Sequence, residues 1–177
     1  MRKVVLYIAT SLDGYIADTD GGINWLGGQD SNYAATDNSY ADFIAGVDSV
    51  VMGYSTYKQV TTELSPGVWP YAGMQSYVLT HHQPAPMKDV QFVTKSVVDL
   101  IENLRQKSGN SIWIMGGASI VNPLIAANMI DEYHLSIMPY LLGDGIRLFN
   151  PHKQTLPLRL ISTTATNGVI DCVYQRR

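Results

Sequence analysis

The sequence predicts an α/β domain in three layers, a mostly parallel central sheet with helices on both faces, finished by a C-terminal antiparallel hairpin. Three observations carry that expectation. Short β-branched runs alternate with helical patterns as far as about residue 127, the pattern is strand-only from Asp131, and Asn167-Gly168 separates two alternating runs near the end. Strand–helix alternation is the mark of a parallel sheet covered on both sides. An Asn-Gly between strand patterns is the strongest short hairpin signal.

Residues 3–9 (KVVLYIA) are rich in β-branched and aromatic side chains and precede the turn dipeptide Asp13-Gly14, which reads as a buried central strand. Residues 10–32 are dense in Gly, Asp and Asn around one apolar island, Ile23-Asn24-Trp25-Leu26. They form a long loop, and such loops in compact domains usually carry function. Ala34, Asp37, Tyr40, Ala41 and Ile44 recur at spacings of three and four, predicting a helix over 33–45. A second strand runs from Val47 to Met52, and Gly53 opens a short helix through about Val60. A Pro/Gly-rich segment follows, then a third strand over 75–80, closed by His81-His82-Gln83-Pro84-Ala85-Pro86, and a short fourth from Gln91 to Thr94.

Ser96 has Asp99 three residues on and reads as the N-cap of a helix that runs to Lys107 and stops at Gly109. Ser111 to Met115 is a buried strand, and Gly116-Gly117-Ala118-Ser119 leads into a helix ending near Ala127. Tyr133, Leu135 and Ile137 then alternate with polar residues. A Leu-Leu-Gly-Asp-Gly turn follows, and strands at about 157–165 and 169–176 pair across Asn167-Gly168. With no repeat and no linker, residues 1–177 read as one domain.

The chain is long enough for a substantial core, and 46% hydrophobic against 15% charged residues excludes a disordered protein. The formal charge is −3 with Lys and Arg scattered, so the basic stripe of a nucleic-acid binder is missing. Cys172 is the only cysteine, which allows no intrachain disulfide and fits a reducing compartment. The apolar run behind Met1-Arg2-Lys3 stops at Ser11-Leu12-Asp13-Gly14 with no cleavage site of a signal peptide. No stretch reaches the roughly 18–20 apolar residues of a membrane helix. A cytoplasmic protein is expected, without membrane or nucleic-acid partners. The His and Cys residues show no metal-ligand spacing, so no metal is expected.

Two glycine motifs each follow a buried strand and open a helix: Val51-Met52-Gly53-Tyr54-Ser55-Thr56-Tyr57 and Ile114-Met115-Gly116-Gly117-Ala118-Ser119. Glycine lets a backbone approach a ligand closely, and a helix N-terminus offers unpaired N–H groups and a positive dipole end. Two such turns in one sheet can hold the halves of a dinucleotide pyrophosphate, although glycine also serves simply to make tight turns. Neither motif is G-x-G-x-x-G and no P-loop is present, which disfavours a standard Rossmann domain or a kinase. Ser119 lacks a His–Asp partner in any nucleophile motif, so hydrolysis has no support.

These segments resemble the dihydrofolate reductase superfamily, in the reductase-domain branch named for the bacterial bifunctional riboflavin-biosynthesis deaminase-reductase (RibD C-terminal-like). The resemblance rests on Ser11-Leu12-Asp13-Gly14-Tyr15-Ile16-Ala17, on Met52-Gly53-x-x-Thr56-Tyr57, on Gly116-Gly117-Ala118, and on Ile130-Asp131-Glu132-Tyr133-x-Leu135 continuing to Leu142-Gly143-Asp144-Gly145. It implies NADPH, with NADH also possible, lying across the carboxyl ends of the strands. By the same resemblance Gly53 and Thr56, with Tyr54 and Ser55 between them, contact the pyrophosphate. Met115, Gly116, Gly117, Ala118 and Ser119 form the second phosphate turn, and Ala9, Ile16 and Ala17 lie beside the nicotinamide. Thr80 and His81 stand where the family often has a Ser-Arg pair gripping the adenosine 2′-phosphate.

Tyr54 and His81 replace two arginines common in the branch, which weakens the phosphate grip, since Arg is the preferred bidentate partner. If His81, helped by His82, substitutes, cofactor affinity falls as the imidazole loses its charge with rising pH. Hydride transfer to C=N or C=O also needs a proton for the neighbouring atom. Asp13, directly after the first strand, and Asp37, on the first helix where dihydrofolate reductases carry their substrate carboxylate, are the candidates. Each has a plainer reading, as a turn residue and a solvated helix residue respectively. Trp25 is either a lid over the nicotinamide or a staple holding the loop.

The expected substrate is a small pterin- or pyrimidine-like heterocycle or a carbonyl compound. No Lys or Arg occurs between Lys3 and Lys58, which argues against a phosphorylated substrate there. The alternative is a nucleotide-binding or sensing module without turnover, which cofactor oxidation distinguishes. The apolar Val169, Ile170, Val173 and Tyr174 of the last hairpin could extend a sheet or cover an edge against a second subunit, and a homodimer is expected.

Overall fold

Apolar side chains on both sides of the early strands, and on one side of the helices that follow, force a layered packing. In the computed structural model, which describes residues 1–33 and 39–177, the chain runs β1 (Val4–Ser11), β2 (Tyr15–Ala17), α1 (Ser39–Ala45), β3 (Val47–Gly53) and α2 (Tyr54–Gln59). It continues through β4 (Gln75–Leu79), β5 (Val90–Val93), α3 (Val97–Arg105), β6 (Ser111–Gly116) and α4 (Ala118–Ala126). The last part is β7 (Glu132–Met138), β8 (Ile146–Arg147), β9 (Leu158–Thr166) and β10 (Val169–Arg176). Eight strands form one sheet in the order β5-β4-β3-β6-β1-β7-β10-β9. The first six are parallel, and β10 and β9 add the antiparallel hairpin.

Successive residues of a strand face opposite sides. Val4 and Leu6 of β1 therefore join Ile112 and Ile114 under α3 and α4, against Leu100, Ile101, Leu104, Val121 and Leu124. The other face packs Val50, Met52, Val78 and Trp113 under α1 and α2. There Phe43 of α1 meets Tyr7 and Trp113 edge-on, with ring centroids 4.6 and 5.5 Å apart, and the Trp113 indole N–H donates to Tyr7 O (3.0 Å). Burial on both faces explains why the parallel strands read as nearly continuous apolar runs.

Most expected elements form near their expected limits. Ser96 caps α3, its Oγ accepting from Asp99 N–H at 3.1 Å. Asn167 and Gly168 take the positive φ values of +51° and +77° that a two-residue hairpin turn of type I′ requires. Three details differ. The loop after β1 contains β2, which pairs with β8 in a separate ribbon. Tyr33 lies outside α1, and Ala34 and Asp37 fall outside the described residues. The second helix runs past Val60 as a π-helical turn, Val60–Leu64.

The later part of the long loop is anchored at two places. Gln59 Nε2 donates to Gly21 O (3.2 Å), and Gln29 N–H donates to Asn167 O (2.9 Å). The Asn167 side chain then grips Asp30 like a strand partner, its Oδ1 accepting from Asp30 N–H (3.0 Å) and its Nδ2 donating to Asp30 O (3.1 Å). Ile170 pairs with Ile137, so the hairpin tip stands at the carboxyl end of β7. The loop is thereby fixed to the edge from which the glycine turns emerge.

Glu132, at the start of β7, sets part of the acid sensitivity. Burial raises its carboxyl, but hydrogen bonds from His134 (2.6 Å), Lys3 (2.9 Å) and Gln175 (2.8 Å) outweigh that and hold it at about 2 against an ordinary 4.5. A carboxyl lower in the folded than the unfolded state contributes stability that is full above the unfolded value and lost as pH falls toward the folded one. The Glu132 contribution is thus present above about 4.5 and disappears between there and about 2. Glu132→Gln is expected to melt at a temperature that falls less steeply than wild type across that window, as read from thermal unfolding at a series of pH values.

Candidate functional site

Neighbouring strands place the two glycine motifs side by side. β3 pairs with β6 through Val51↔Ile114 and, after a register shift, Met52↔Gly116, so Gly53 and Gly116-Gly117 leave the same edge together. Gly53 is the N-cap of α2 and Gly117 the N-cap of α4, and no side chain caps either helix. First-turn N–H groups without a capping acceptor, at the positive end of the dipole, make an anion site. A β-carbon on Gly53 would stand 3.4 Å from Ile120 Cγ1 and 3.8 Å from Ser119 Oγ, which shows how closely the first turn lies against α4. Gly116 has φ +114°, a β-carbon there would lie 3.0 Å from Ile8 Cδ1, and the Gly116–Gly117 peptide is cis.

The loop after β1 borders the second turn. The position of a β-carbon on Gly117 is 3.6 Å from Ile16 Cδ1, while Ala17 is buried and pairs with Ile146, and Ala9 pairs with Ser136 of β7. Leu79 pairs with Gly53, so Thr80 follows at the same edge. Thr80 is buried, and its Oγ1 accepts from His82 N–H (2.9 Å). The His82 ring packs on Tyr54, 4.5 Å between centroids, and both His81 and His82 are exposed.

Asp13 is tied down. The Ser11 hydroxyl (2.6 Å), then the Gly143 (2.8 Å) and Leu142 (3.1 Å) amides, donate to its carboxylate and hold it at about 2, below an ordinary 3.8. Tyr15 joins the same tether, donating to Gly143 O (3.2 Å) and lying under the Arg147 guanidinium, 4.7 Å from its ring centroid. Asp13 therefore joins the loop after β1 to the loop after β7, and carries no proton to deliver near neutral pH. Trp25 is half-buried, its indole N–H donating to Gly22 O (3.3 Å) within its own loop. Asp37 lies outside the described residues. Sequence reasoning also missed the Asn167–Asp30 grip, which joins the hairpin turn to the long loop, and a Ser136–Asp171 hydrogen bond, which joins positions that strand register brings together.

Among the described residues no cluster of His, Cys, Asp and Glu could hold a metal ion, and no helix is long and apolar enough to cross a membrane. A sheet of this order with paired glycine turns at its carboxyl edge defines a dihydrofolate-reductase-like fold. Accordingly, the dihydrofolate reductase of Enterococcus faecalis, complexed with NADP(H), matches with a TM-score of 0.66 at 14% identity over 99% of this chain and 96% of that one. The chain belongs to the RibD C-terminal domain family, whose model matches residues 2–170. It is 40% identical to the uncharacterized protein YwjB of Bacillus subtilis over 99% of this chain and 98% of that protein. A solved structure from Shewanella sp. PV-4, provisionally named for riboflavin biosynthesis, is similar with a TM-score of 0.83 at 31% identity, covering 99% of each chain. The family is of reductase type.

Proposed function

We propose that this chain is an NADPH-dependent reductase of a small heterocyclic or carbonyl substrate. The observation that supports it most is the adjacency of the two uncapped glycine turns at neighbouring strand ends. The residues suit a dinucleotide: first-turn amides of α2 (Tyr54, Ser55, Thr56) and of α4 (Ala118, Ser119) can share one pyrophosphate, and helix N-termini favour anions. Thr80 and His82 serve the adenosine end, with Tyr54 as the surface on which His82 rests. Ala9, Ile16 and Ala17 would lie beside the nicotinamide, which when bound supplies the hydride. The ionised Asp13 orients the two loops around the reacting groups, which leaves Asp37 as the carboxyl for proton transfer.

The absence of Lys and Arg between Lys3 and Lys58 favours an unphosphorylated substrate. The exposed edge strand β9, where Leu160 and Ile161 are about half exposed, together with exposed Ile170, favours a homodimer. A second reading, a nucleotide-binding module without turnover, gains from the loss of Asp13 as a proton donor.

Calorimetric titration with NADPH and separately NADH tests the proposal. Micromolar binding of either is expected, and a preference for NADPH would show that the 2′-phosphate is gripped. Binding of neither would overturn it, and binding without oxidation by any electrophile would establish the module instead.

A further inference from the structure

We infer that a second ligand site lies behind the far end of α2, at the amino edge of β4 and β5, and takes an aromatic α-amino acid. It shares no residue with the cofactor cradle proposed above, and it stands whether or not that proposal does.

The connection between two parallel strands creates the space. β3 and β4 are parallel neighbours, so the chain must travel back from the carboxyl edge, where α2 opens at Gly53, to the amino edge, where Gln75 begins β4. The helix ends that journey in its π-helical turn, Val60–Leu64, and single turns of this kind often mark functional sites. Residues 65–74 then fold round to β4. Between this return and the turn ahead of β5 lies a cavity of about 590 Å³, within the range of small-molecule sites. Thr61, Val68, Trp69, Met87, Lys88 and Asp89 border it, and its whole lining belongs to the described residues.

One wall is aromatic and fixed. The Trp69 indole N–H donates to Ser76 Oγ (3.2 Å), and its ring meets those of Tyr57 and Tyr71 at 5.7 and 5.2 Å between centroids. Val68, 69% exposed, and Met87 add apolar surface, and a thioether favours contact with a ring. A flat ring therefore covers what water now touches. The rim carries one charge of each sign. Val90 N–H donates to Met87 O (3.2 Å), closing a turn with Lys88 and Asp89 at its centre. Asp89 has φ +61°, at a turn position where Gly or Asn is ordinary, and its Oδ2 accepts from Gly73 N–H (3.3 Å). Among the described residues the ion pairs engage other groups, so Lys88 and Asp89 are paired neither with each other nor elsewhere. An α-amino acid answers both, with its carboxylate for Lys88, its ammonium for Asp89 and its side chain against Trp69. A phosphate would bring two charges to a single cation, beside a carboxylate that repels it.

The test is calorimetric titration of the full chain, with and without NADPH, by L-tryptophan, indole-3-propionate, which lacks the ammonium, and tryptamine, which lacks the carboxylate. L-Tryptophan is expected to bind with a Kd of about 1 mM or below, as suits a ligand of this size in an open site. NADPH should leave that affinity unchanged. The two truncated ligands should bind about two- to fivefold more weakly, the range of an ion pair exposed to water. Lys88→Gln should bring L-tryptophan down to the level of tryptamine, and Asp89→Gly to that of indole-3-propionate. Glycine adopts the positive φ at position 89 freely, so the second variant keeps the turn. Three results would each overturn the site: no binding of L-tryptophan by wild type, displacement of it by NADPH, or equal affinity for all three ligands in wild type and both variants.

Discussion

Ser119→Glu is expected to lower NADPH affinity roughly 100-fold while leaving the thermal midpoint unchanged or slightly raised. Ser119 is exposed, sits in the first turn of α4, and faces the first glycine turn. A carboxylate in that turn suits the helix dipole, by about 0.3–1 kcal/mol, so the fold does not suffer. The same charge beside a pyrophosphate is repelled. At about 4–6 Å and an effective dielectric near 20 the repulsion is about 3–4 kcal/mol before screening by salt, which leaves roughly two decades of affinity. Calorimetry and a thermal melt on one preparation separate the two effects. Unchanged affinity would remove α4 from the phosphate site, whereas an unfolded variant would mean that Ser119 had been placed wrongly.

Gly116→Ala is expected to act on the fold itself. At φ +114° an L side chain is strained wherever it points, and here the new methyl would also press on Ile8 Cδ1 at 3.0 Å. Backbone strain of this kind costs about 1–3 kcal/mol. With the displacement of Ile8 we expect a loss of about 2–3 kcal/mol, or roughly 5–10 °C in thermal midpoint for a chain of this size. Gly53→Ala is the matched control, because Gly53 has φ −82° and its added methyl would meet Ile120 at an ordinary 3.4 Å. That variant should lose less than about 1 kcal/mol. Equal losses in the two variants would show that crowding, rather than backbone conformation, governs both turns.

The contrast between these glycines shows where sequence reasoning stops. A glycine after an apolar run marks a turn whatever its φ, so both motifs were legible as turns, and their adjacency was not. Adjacency depends on β3 and β6 being neighbours, which alternation of strands and helices leaves open. The Asn167-Gly168 hairpin and the Ser96 cap were legible because their chemistry is local. Asp13 was not, since its tether consists of backbone amides at Leu142 and Gly143, which no side-chain pattern announces. The β2–β8 ribbon escaped for another reason. Strands of three and two residues are too short to show any period.

The position of β1 has a consequence for how the chain assembles. Its two neighbours both come from far downstream: Val4 pairs with Ile112 and Val5 with Glu132. Contacts so distant in sequence form slowly, because a long loop must be closed before any pairing repays it. The strand synthesised first is therefore among the last to be enclosed, and the centre of the sheet closes only after β7 is available. A fragment ending before Ser111 contains the first glycine turn and the whole of the long loop, yet has nothing to hold β1 in place.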